Sequence, residues 1–226
     1  MTTRRTDPDP GRATGGVAGL LLAAGGGRRL GGRPKALLTH QGRPLVEHAV
    51  RALRAGGCEH VHVVLGARAD DVRARAELPD CVLVDNPDWE QGMGSSLRAG
   101  LASLAGTEAR AALVLLVDQP GIGPQAVARV LAAYAARETG YSRDTRNARE
   151  GREVRDPLIS ATYAGVRGHP VLFGATHWAG VAAAATGDQG ARAYLREHAD
   201  AVALVECGDV AEAYDIDTEE DLNRLG

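Results

Sequence analysis

Short runs of aliphatic residues recur along this chain of 226 residues, and amphipathic stretches separate most of them. The runs read VAGLLLAA, HVHVVLG, CVLVD, ALVLLVD, LISATY, HPVLF and AVALVEC. Hydrophobicity within them is continuous rather than alternating, which is typical of strands that are buried on both faces. Strands that alternate with helices predict βαβ units. We therefore expect an α/β fold with three layers, a Rossmann-like α/β/α arrangement around a mainly parallel sheet.

The segment PLVEHAVRALRAGG, residues 44–57, shows how the strands are connected. Pro44 suits the first turn of a helix, an apolar stripe follows at helical spacing, and Gly56 ends the pattern. This segment predicts a helix that covers one face of the sheet. In such sheets, ligands bind beyond the carboxyl ends of the strands.

Composition divides the chain into a tail and one domain. Residues 1–16 are polar, contain Pro and Gly, and lack the apolar centre of a secretory signal, which predicts a disordered N-terminal tail. Residues 17–226 predict a single domain, large enough to bury roughly 70–75 % of its unfolded surface. Within it, residues 138–156 are highly charged and nearly free of aliphatic side chains. They predict a loop or mobile flap, which is either a solvated insertion or a substrate-gripping lid.

Charge and cysteine content exclude several classes of function. The formal net charge is −3, so no nucleic-acid partner is expected. Cys58, Cys81 and Cys207 are too far apart for a CxxC motif, and we expect reduced, mostly buried thiols in a cytoplasmic protein. No apolar run approaches the roughly 18–20 residues of a membrane span. We therefore expect a soluble protein that does not bind membranes.

The stretch GLLLAAGGGRRLGGRPKALL, residues 19–38, places glycines and cations directly after a predicted strand. Glycines let a ligand approach the backbone, and their N–H groups together with nearby cations form an anion site. A dinucleotide fingerprint fails, because the third glycine position falls on Leu30. A P-loop also fails, because Gly31 is followed by Gly32 and not by lysine. The alternatives that remain are a different phosphate-binding loop and a glycine loop with a purely structural role.

The run LAAGGGRRLGGRPK, residues 22–35, resembles the signature of the MobA-like nucleotidyltransferases, and the resemblance extends from Val17 over nearly the whole chain. It implies a nucleotidyltransferase fold whose glycine loop wraps the base and phosphates of a nucleoside triphosphate. By resemblance, Arg28 and Lys35 grip the phosphates and are the catalytic cations. The nucleotide-binding residues that it implies in this loop are Leu22, Ala23, Ala24, Gly25 and Gly26.

Two carboxylates are implied as metal ligands. Asp118 ends the hydrophobic run VLLVD, and Asp217 matches the family position just before the final predicted helix, which Thr218 is placed to cap. Mg²⁺ prefers hard oxygen ligands and usually takes one or two carboxylates with phosphate oxygens and water. The resemblance therefore implies Mg²⁺ on Asp118 and Asp217. Asp215 is a rival ligand, and a simple helix cap is the alternative role of Asp217.

The segment DNPDWEQGMGSSLRAGL, residues 85–101, resembles the part of the family that closes over the base and ribose. The candidate nucleotide-binding residues in it are Asn86, Gly92, Met93, Ser95 and Ser96. Ser95 or Ser96 can equally be an ordinary helix N-cap. We interpret Trp89 as a packing residue rather than a stacking platform.

The stretches GVRGHPVLF and TGDQGARAYL, together with DQP, narrow the resemblance to molybdenum-cofactor cytidylyltransferases. The LAAG sequence points to CTP, since guanylyl-transferring relatives typically carry LAGG. The implied reaction transfers CMP from CTP to the terminal phosphate of a molybdopterin cofactor and releases pyrophosphate. His169, Asp188 and Arg192 are implied to border the acceptor pocket, although a lone histidine is also commonly structural. The charged segment at 138–156 is longer than the family leads us to expect.

Two other functions remain open. Some MobA-like proteins reduce pigmented catabolites, so an NAD(P)H-dependent reductase of a small aromatic catabolite is one alternative, with Arg68 meeting a 2′-phosphate. The failed dinucleotide fingerprint counts against it. A non-catalytic chaperone that delivers the cofactor to a molybdoenzyme apoprotein is the other. The presence of Lys35 together with both candidate metal carboxylates favours an enzyme.

Overall fold

The computed structural model describes residues 16–144 and 156–225, with side chains in the first range described up to residue 138. The strands are β1 (Val17–Leu22), β2 (Thr39–His40), β3 (Arg43–Pro44), β4 (His60–Leu65), β5 (Cys81–Asp85), β6 (Ala111–Leu116), β7 (Leu158–Tyr163), β8 (Val166–Gly174) and β9 (Val202–Glu206). The helices are α1 (Leu45–Ala55), α2 (Ala69–Arg75), α3 (Met93–Ser103), α4 (Pro124–Asp144), α5 (Trp178–Ala184) and α6 (Arg192–Glu197). All seven predicted strands are present, and α1 coincides with the helix predicted from its apolar stripe.

Seven strands form one sheet in the order β5-β4-β1-β6-β8-β7-β9. β1 is parallel to β4 and β6, β4 is parallel to β5, and β7 is parallel to β9. Only β8 runs against its neighbours β6 and β7 within this sheet of the described residues. The prediction of an α/β fold with a mainly parallel sheet is confirmed.

The helices cover both faces of the sheet, as continuous hydrophobicity in the strands requires. Leu53 of α1 and Val130 of α4 belong to the core cluster on one face. Leu97 of α3 and Val181 of α5 belong to the cluster on the other face. Every residue of β1 and β6 is buried, so these two strands form the centre of the molecule.

The central strands place the site. Leu22 lies opposite Leu116 in the parallel register, so β1 and β6 end side by side at the same edge of the sheet. After β1 the chain forms β4 on one side of β1, and it later forms β6 on the other side. This reversal is a topological switch point, where open α/β sheets bind their ligands.

Two local predictions need correction. Residues 138–144, predicted as the start of a flap, continue α4, and the Glu138 carboxylate accepts a hydrogen bond from Tyr134 one turn earlier at 2.8 Å. The rest of that segment up to residue 155, like residues 1–15 of the predicted tail, lies outside the described residues. The final predicted helix is a 3-10 turn, Glu220–Arg224. Thr218 Oγ1 accepts the N–H of Asp221 at 3.4 Å, and the Asp221 carboxylate accepts the Thr218 N–H at 2.8 Å, so these two residues cap the start of the turn reciprocally.

Two predictions made from composition, namely buried free thiols and the lack of a membrane span, can be compared with the fold. Cys58 and Cys207 are buried, Cys81 is half-buried, and all three are free thiols. Burial raises the pKa of Cys58 to about 12, so this thiol is unreactive at neutral pH. Across residues 16–144 and 156–225, no helix combines the length and apolarity that a membrane crossing needs.

Candidate active site

The glycine loop after β1 closes on itself and leaves backbone donors free. The carbonyl of Gly27 accepts hydrogen bonds from the N–H groups of Leu30 at 2.8 Å and Gly32 at 3.0 Å. Gly27 has φ 59°, and a Cβ there would overlap the carbonyl oxygen of Arg33, so this position requires glycine. The N–H groups of Gly25 and Gly26 have no acceptor among the described residues. They are available to an anion at the edge of the sheet.

Lys35 joins the two carboxylates that the sequence placed far apart. A 3-10 turn, Lys35–Leu37, follows the loop and carries the ammonium group to the end of β6. Its Nζ donates to Asp118 Oδ2 at 2.7 Å and also to a carboxylate oxygen of Asp217. Asp118 follows β6 by two residues, and the amide of Ile216 donates to the Asp118 carbonyl at 2.9 Å, which fixes the segment that carries Asp217.

Burial and neighbouring charges shift the pKa of two members of this cluster, Lys35 and Asp118. The side chains of Lys35 and Asp118 are 15 % and 19 % exposed. Burial lowers the pKa of Lys35, but the two carboxylates outweigh it and the pKa is raised above its ordinary value. Burial also raises the pKa of Asp118, while Lys35 opposes that shift. Counted by formal charge, one ammonium and two carboxylates give the cluster a charge of −1.

These residues fit a divalent cation that is shared with phosphate. Asp118 and Asp217 offer hard oxygen atoms, and the net negative charge of the cluster favours a cation. In the described part of the chain, no group of three or more His, Cys, Asp or Glu side chains is placed to hold a metal. The remaining ligands would therefore come from phosphate oxygens and water, as is usual for Mg²⁺.

A cavity of about 320 Å³ lies beside the cluster. The residues that line it are Leu22, Ala24, Gly25, Gly26, Arg28, Lys35, Trp89, Glu90, Gln91, Gly92, Met93, Ser96, Leu116, Val117, Asp118 and Asp188. Most predicted nucleotide-binding residues are therefore in the cavity wall. Arg28 is exposed and has no ion-pair partner in the described ranges, so its guanidinium is free for a ligand.

Three predicted nucleotide-binding residues lie behind the wall rather than in it. Ala23, Asn86 and Ser95 are buried and do not line the cavity. The Asn86 amide donates to Ser95 Oγ at 2.9 Å and Ser96 Oγ at 3.0 Å. Neither serine is an N-cap, because α3 begins one residue after Gly92, and Ser95 instead donates to the Gly92 carbonyl at 2.8 Å. Asn86 and Ser95 thus support the wall from within.

The predicted acceptor residues separate into two groups. Asp188 lines the cavity and contacts Gly92, where a Cβ would come 2.5 Å from its Oδ1. His169 and Arg192 are not in the cavity wall. β8 pairs with β6 only as far as Val171 opposite Val114, so His169 lies beyond this pairing, toward the edge that carries Asp118. Burial, and secondarily the charge of Arg192, lower the pKa of His169 to about 4, so its imidazole is neutral at physiological pH.

The rival candidates have other partners. Asp215 is exposed and accepts a hydrogen bond from the Gln119 side chain at 2.8 Å, whereas Lys35 contacts Asp217. Arg68, the residue considered for a 2′-phosphate, is exposed and paired with Asp71.

Trp89 packs against the core, in agreement with its interpretation as a packing residue, and it also lines the cavity, which the sequence did not indicate. Lys35 is the only lysine among the 26 basic residues of the chain. A single compact ammonium in a chain that otherwise uses arginine is a compositional signal that points to Lys35 independently of the motif.

Comparisons with known proteins agree with this geometry. Residues 19–202 match the family described as the MobA-like NTP transferase domain. Nicotine blue oxidoreductase of Paenarthrobacter nicotinovorans is 42 % identical over 216 residues, which cover 92 % of this chain and 96 % of that protein. Molybdenum cofactor guanylyltransferase of Rhodobacter capsulatus is 35 % identical over 150 residues, which cover 66 % and 75 %. The crystal structure of Rv0371C from Mycobacterium tuberculosis H37Rv in complex with manganese has a TM-score of 0.70 at 25 % identity, over 93 % of this chain and 97 % of that one.

Proposed function

Because the chain belongs to the MobA-like NTP transferase family, we propose that it transfers CMP from CTP to the terminal phosphate of a molybdopterin-type cofactor. The observation that carries the proposal is the contact of Lys35 with both Asp118 and Asp217 beside the free N–H groups of Gly25 and Gly26. A cation, two carboxylates and unpaired backbone donors are the groups that a metal-bound triphosphate requires.

The preference for CTP and for a pterin acceptor rests on the sequence. Leu22-Ala23-Ala24-Gly25 matches the cytidylyl-transferring pattern, and Ala24 and Gly25 line the cavity. The molybdenum cofactor guanylyltransferase similarity supports a related acceptor. Asp188, His169 and Arg192 are the side chains that we assign to the acceptor side.

The reaction joins an oxygen of the acceptor phosphate to the α-phosphorus of CTP and breaks the bond from that phosphorus to the β-phosphate, so that pyrophosphate leaves. No protein nucleophile is needed. The N–H groups of Gly25 and Gly26 and the Arg28 guanidinium would bind phosphate oxygens, and Lys35 would stabilise negative charge at the α-phosphate. Catalysis would come from orientation and from charges that are fixed before the reaction begins.

Asp118 and Asp217 would hold Mg²⁺ through one carboxylate each. When bound, the metal supplies charge neutralisation on the phosphates and orients the leaving group. Lys35 donates to one oxygen of each carboxylate, and every carboxylate has further lone pairs for a second partner. The ammonium therefore positions both ligands before a metal arrives.

The direct test incubates the protein with CTP labelled at the α-phosphate, Mg²⁺ and molybdopterin, with labelled GTP as the matched comparison. We expect label in the pterin product and one pyrophosphate per transfer, with CTP preferred over GTP. Label that stays in CTP while the protein binds Mg²⁺ and molybdopterin would contradict the proposal.

A reductase is the second candidate, because nicotine blue oxidoreductase is similar to this chain over 92 % of its length. The failed dinucleotide fingerprint and the pairing of Arg68 with Asp71 count against an NADPH site of the usual kind. Oxidation of NADPH by a soluble indigoid dye, dependent on the protein and unaffected by Mg²⁺, would favour the reductase.

A further inference from the structure

Trp89 is held at one end of the cavity by two glycines. A Cβ built on Gly26 would lie 2.8 Å from Trp89 Cζ3, and a Cβ built on Gly66 would lie 2.5 Å from Trp89 Cβ. Both glycines therefore allow the indole to lie directly on the backbone after β1 and β4. Gly26 and Gly66 have no side chains, so the indole packs directly against their backbone. This packing, rather than a hydrogen bond, fixes the position of the ring.

The indole and the cationic cluster lie at different strands of the same sheet edge. Trp89 contacts the residues after β1 and β4, whereas Lys35 binds Asp118 after β6. β1 lies between β4 and β6, and neighbouring strands are about 4.8 Å apart, so the indole and the Lys35–Asp118 pair are separated by roughly one to two strand spacings. The cavity thus has an aromatic end at Trp89 and a cationic end at Lys35, and the free N–H groups of Gly25 and Gly26 after β1 lie between them.

The polar edge of the indole has no partner. Trp89 Nε1 donates to no acceptor in the described part of the chain, whereas Trp178 Nε1 donates to the Phe173 carbonyl at 2.9 Å. The edge of the Trp89 ring that carries Cζ3 faces Gly26, so Nε1 lies on the opposite edge. Trp89 is half-buried and lines the cavity, so it offers a ligand an apolar ring surface and an N–H group that no described residue occupies.

From these contacts we infer that Trp89 is a ring-binding wall, against which the planar ring of the ligand stacks while its phosphates reach Arg28 and Lys35. The inference rests on the proposed function, in which the ring is the cytosine of CTP. Trp89 is therefore a determinant of binding to the ring and not to the phosphates. Stacking recognises a flat aromatic face, so this wall selects nucleotides over inorganic polyphosphates without choosing among bases.

The test compares a ligand that has a ring with one that has only phosphates. Calorimetric titrations with Mg²⁺-CTP and with Mg²⁺-tripolyphosphate are made on wild type, W89A and W89F. Removal of one stacked ring is expected to weaken CTP binding roughly 5- to 100-fold in W89A, with tripolyphosphate affinity unchanged and most CTP affinity retained in W89F. In the W178F variant, where Trp89 is the only tryptophan, CTP but not tripolyphosphate should change the fluorescence.

Equal loss of CTP and tripolyphosphate affinity in W89A would overturn the inference, since it would show that Trp89 only supports the glycine loop. Unchanged CTP affinity in W89A would overturn it as well. If wild type binds NADPH in place of CTP, the proposed function fails, and the same variants with NADPH decide the role of Trp89. Binding of tripolyphosphate alone by wild type would contradict both.

Discussion

Lys35 Nζ lies 2.7 Å from Asp118 Oδ2, although 83 positions separate the two residues in the chain. The contact exists because the glycine loop after β1 and the carboxylate after β6 reach the same edge of the sheet. Lys35, predicted to bind phosphate, and Asp118, predicted to bind a metal, therefore form one ion pair.

Substitution of Lys35 should abolish most activity without unfolding the protein. We expect K35A to lower turnover roughly 10²- to 10³-fold, the scale for one preorganised electrostatic contact. K35R should also fail, because a planar guanidinium cannot replace a compact ammonium between two carboxylates. Turnover in the transfer assay and the thermal midpoint are the two measurements.

Arg33 provides the control for Lys35. It lies in the same loop, is half exposed and pairs with Glu219 at 3.5 Å. A surface pair of this kind contributes little, so R33A should retain nearly all activity and stability. Equal losses in R33A and K35A would mean that total loop charge matters and not the contact with Asp118.

Asp118 and Asp215 provide a matched pair for the metal site. D118N should remove metal-dependent CTP binding, because an amide replaces a charged ligand beside Lys35. D215N should retain it, since Asp215 is exposed and its hydrogen bond partner is Gln119. Titration of each variant with CTP, with and without Mg²⁺, measures the difference. A loss confined to D215N would identify the rival ligand as the correct one.

Gly92 should tolerate no side chain. G92A places a Cβ 2.5 Å from Asp188 Oδ1 and 2.7 Å from the backbone of Gly187, at φ 97°. G106A is the control, since Gly106 has φ 80° and open space around it. Backbone strain should cost G106A about 1 kcal/mol of unfolding free energy. The glycine-specific backbone of Gly92, with ψ −174°, and the overlap together should cost G92A about 1–3 kcal/mol more. Denaturant unfolding measures both, and equal losses would contradict the packing of Asp188 against Gly92.

His169 should make stability depend on pH. Its pKa in the folded protein is about 4, below the ordinary 6.5, so between these values the unfolded chain binds the extra proton. The free energy of unfolding should therefore fall as pH drops from about 6.5 to about 4. H169N should lose less stability over that window than wild type, as measured by denaturant unfolding at several pH values. Parallel curves for the two proteins would show that folding does not lower the pKa of His169.

Much of the fold could be predicted because its strands are short hydrophobic runs that must be buried on both faces. Asp118 could be placed for the same reason, since a carboxylate that follows a buried strand must lie at an edge of the sheet. The antiparallel direction of β8 could not be predicted, because strand direction depends on connections that hydrophobicity does not encode. Residues 138–144 were misassigned because charged residues are equally compatible with an exposed helix and with a loop.

The roles of individual site residues were harder to predict than their location. Asn86 and Ser95 share a motif with cavity-lining Ser96, and only the packing of α3 shows that their side chains bind one another. Trp89 was undervalued because its contacts with Gly26 and Gly66 depend on three separate loops that converge. Convergence of this kind is a property of tertiary structure.

The central claim is that this cavity binds a metal-nucleoside triphosphate, and calorimetry tests it most directly. The purified protein is titrated with CTP, GTP, ATP and NADPH, each with and without Mg²⁺. We expect CTP to bind most tightly, only with Mg²⁺, and to lose this binding in D118N. Tight binding of NADPH without Mg²⁺, together with no heat from CTP, would contradict the account and make the reductase the better description of this protein.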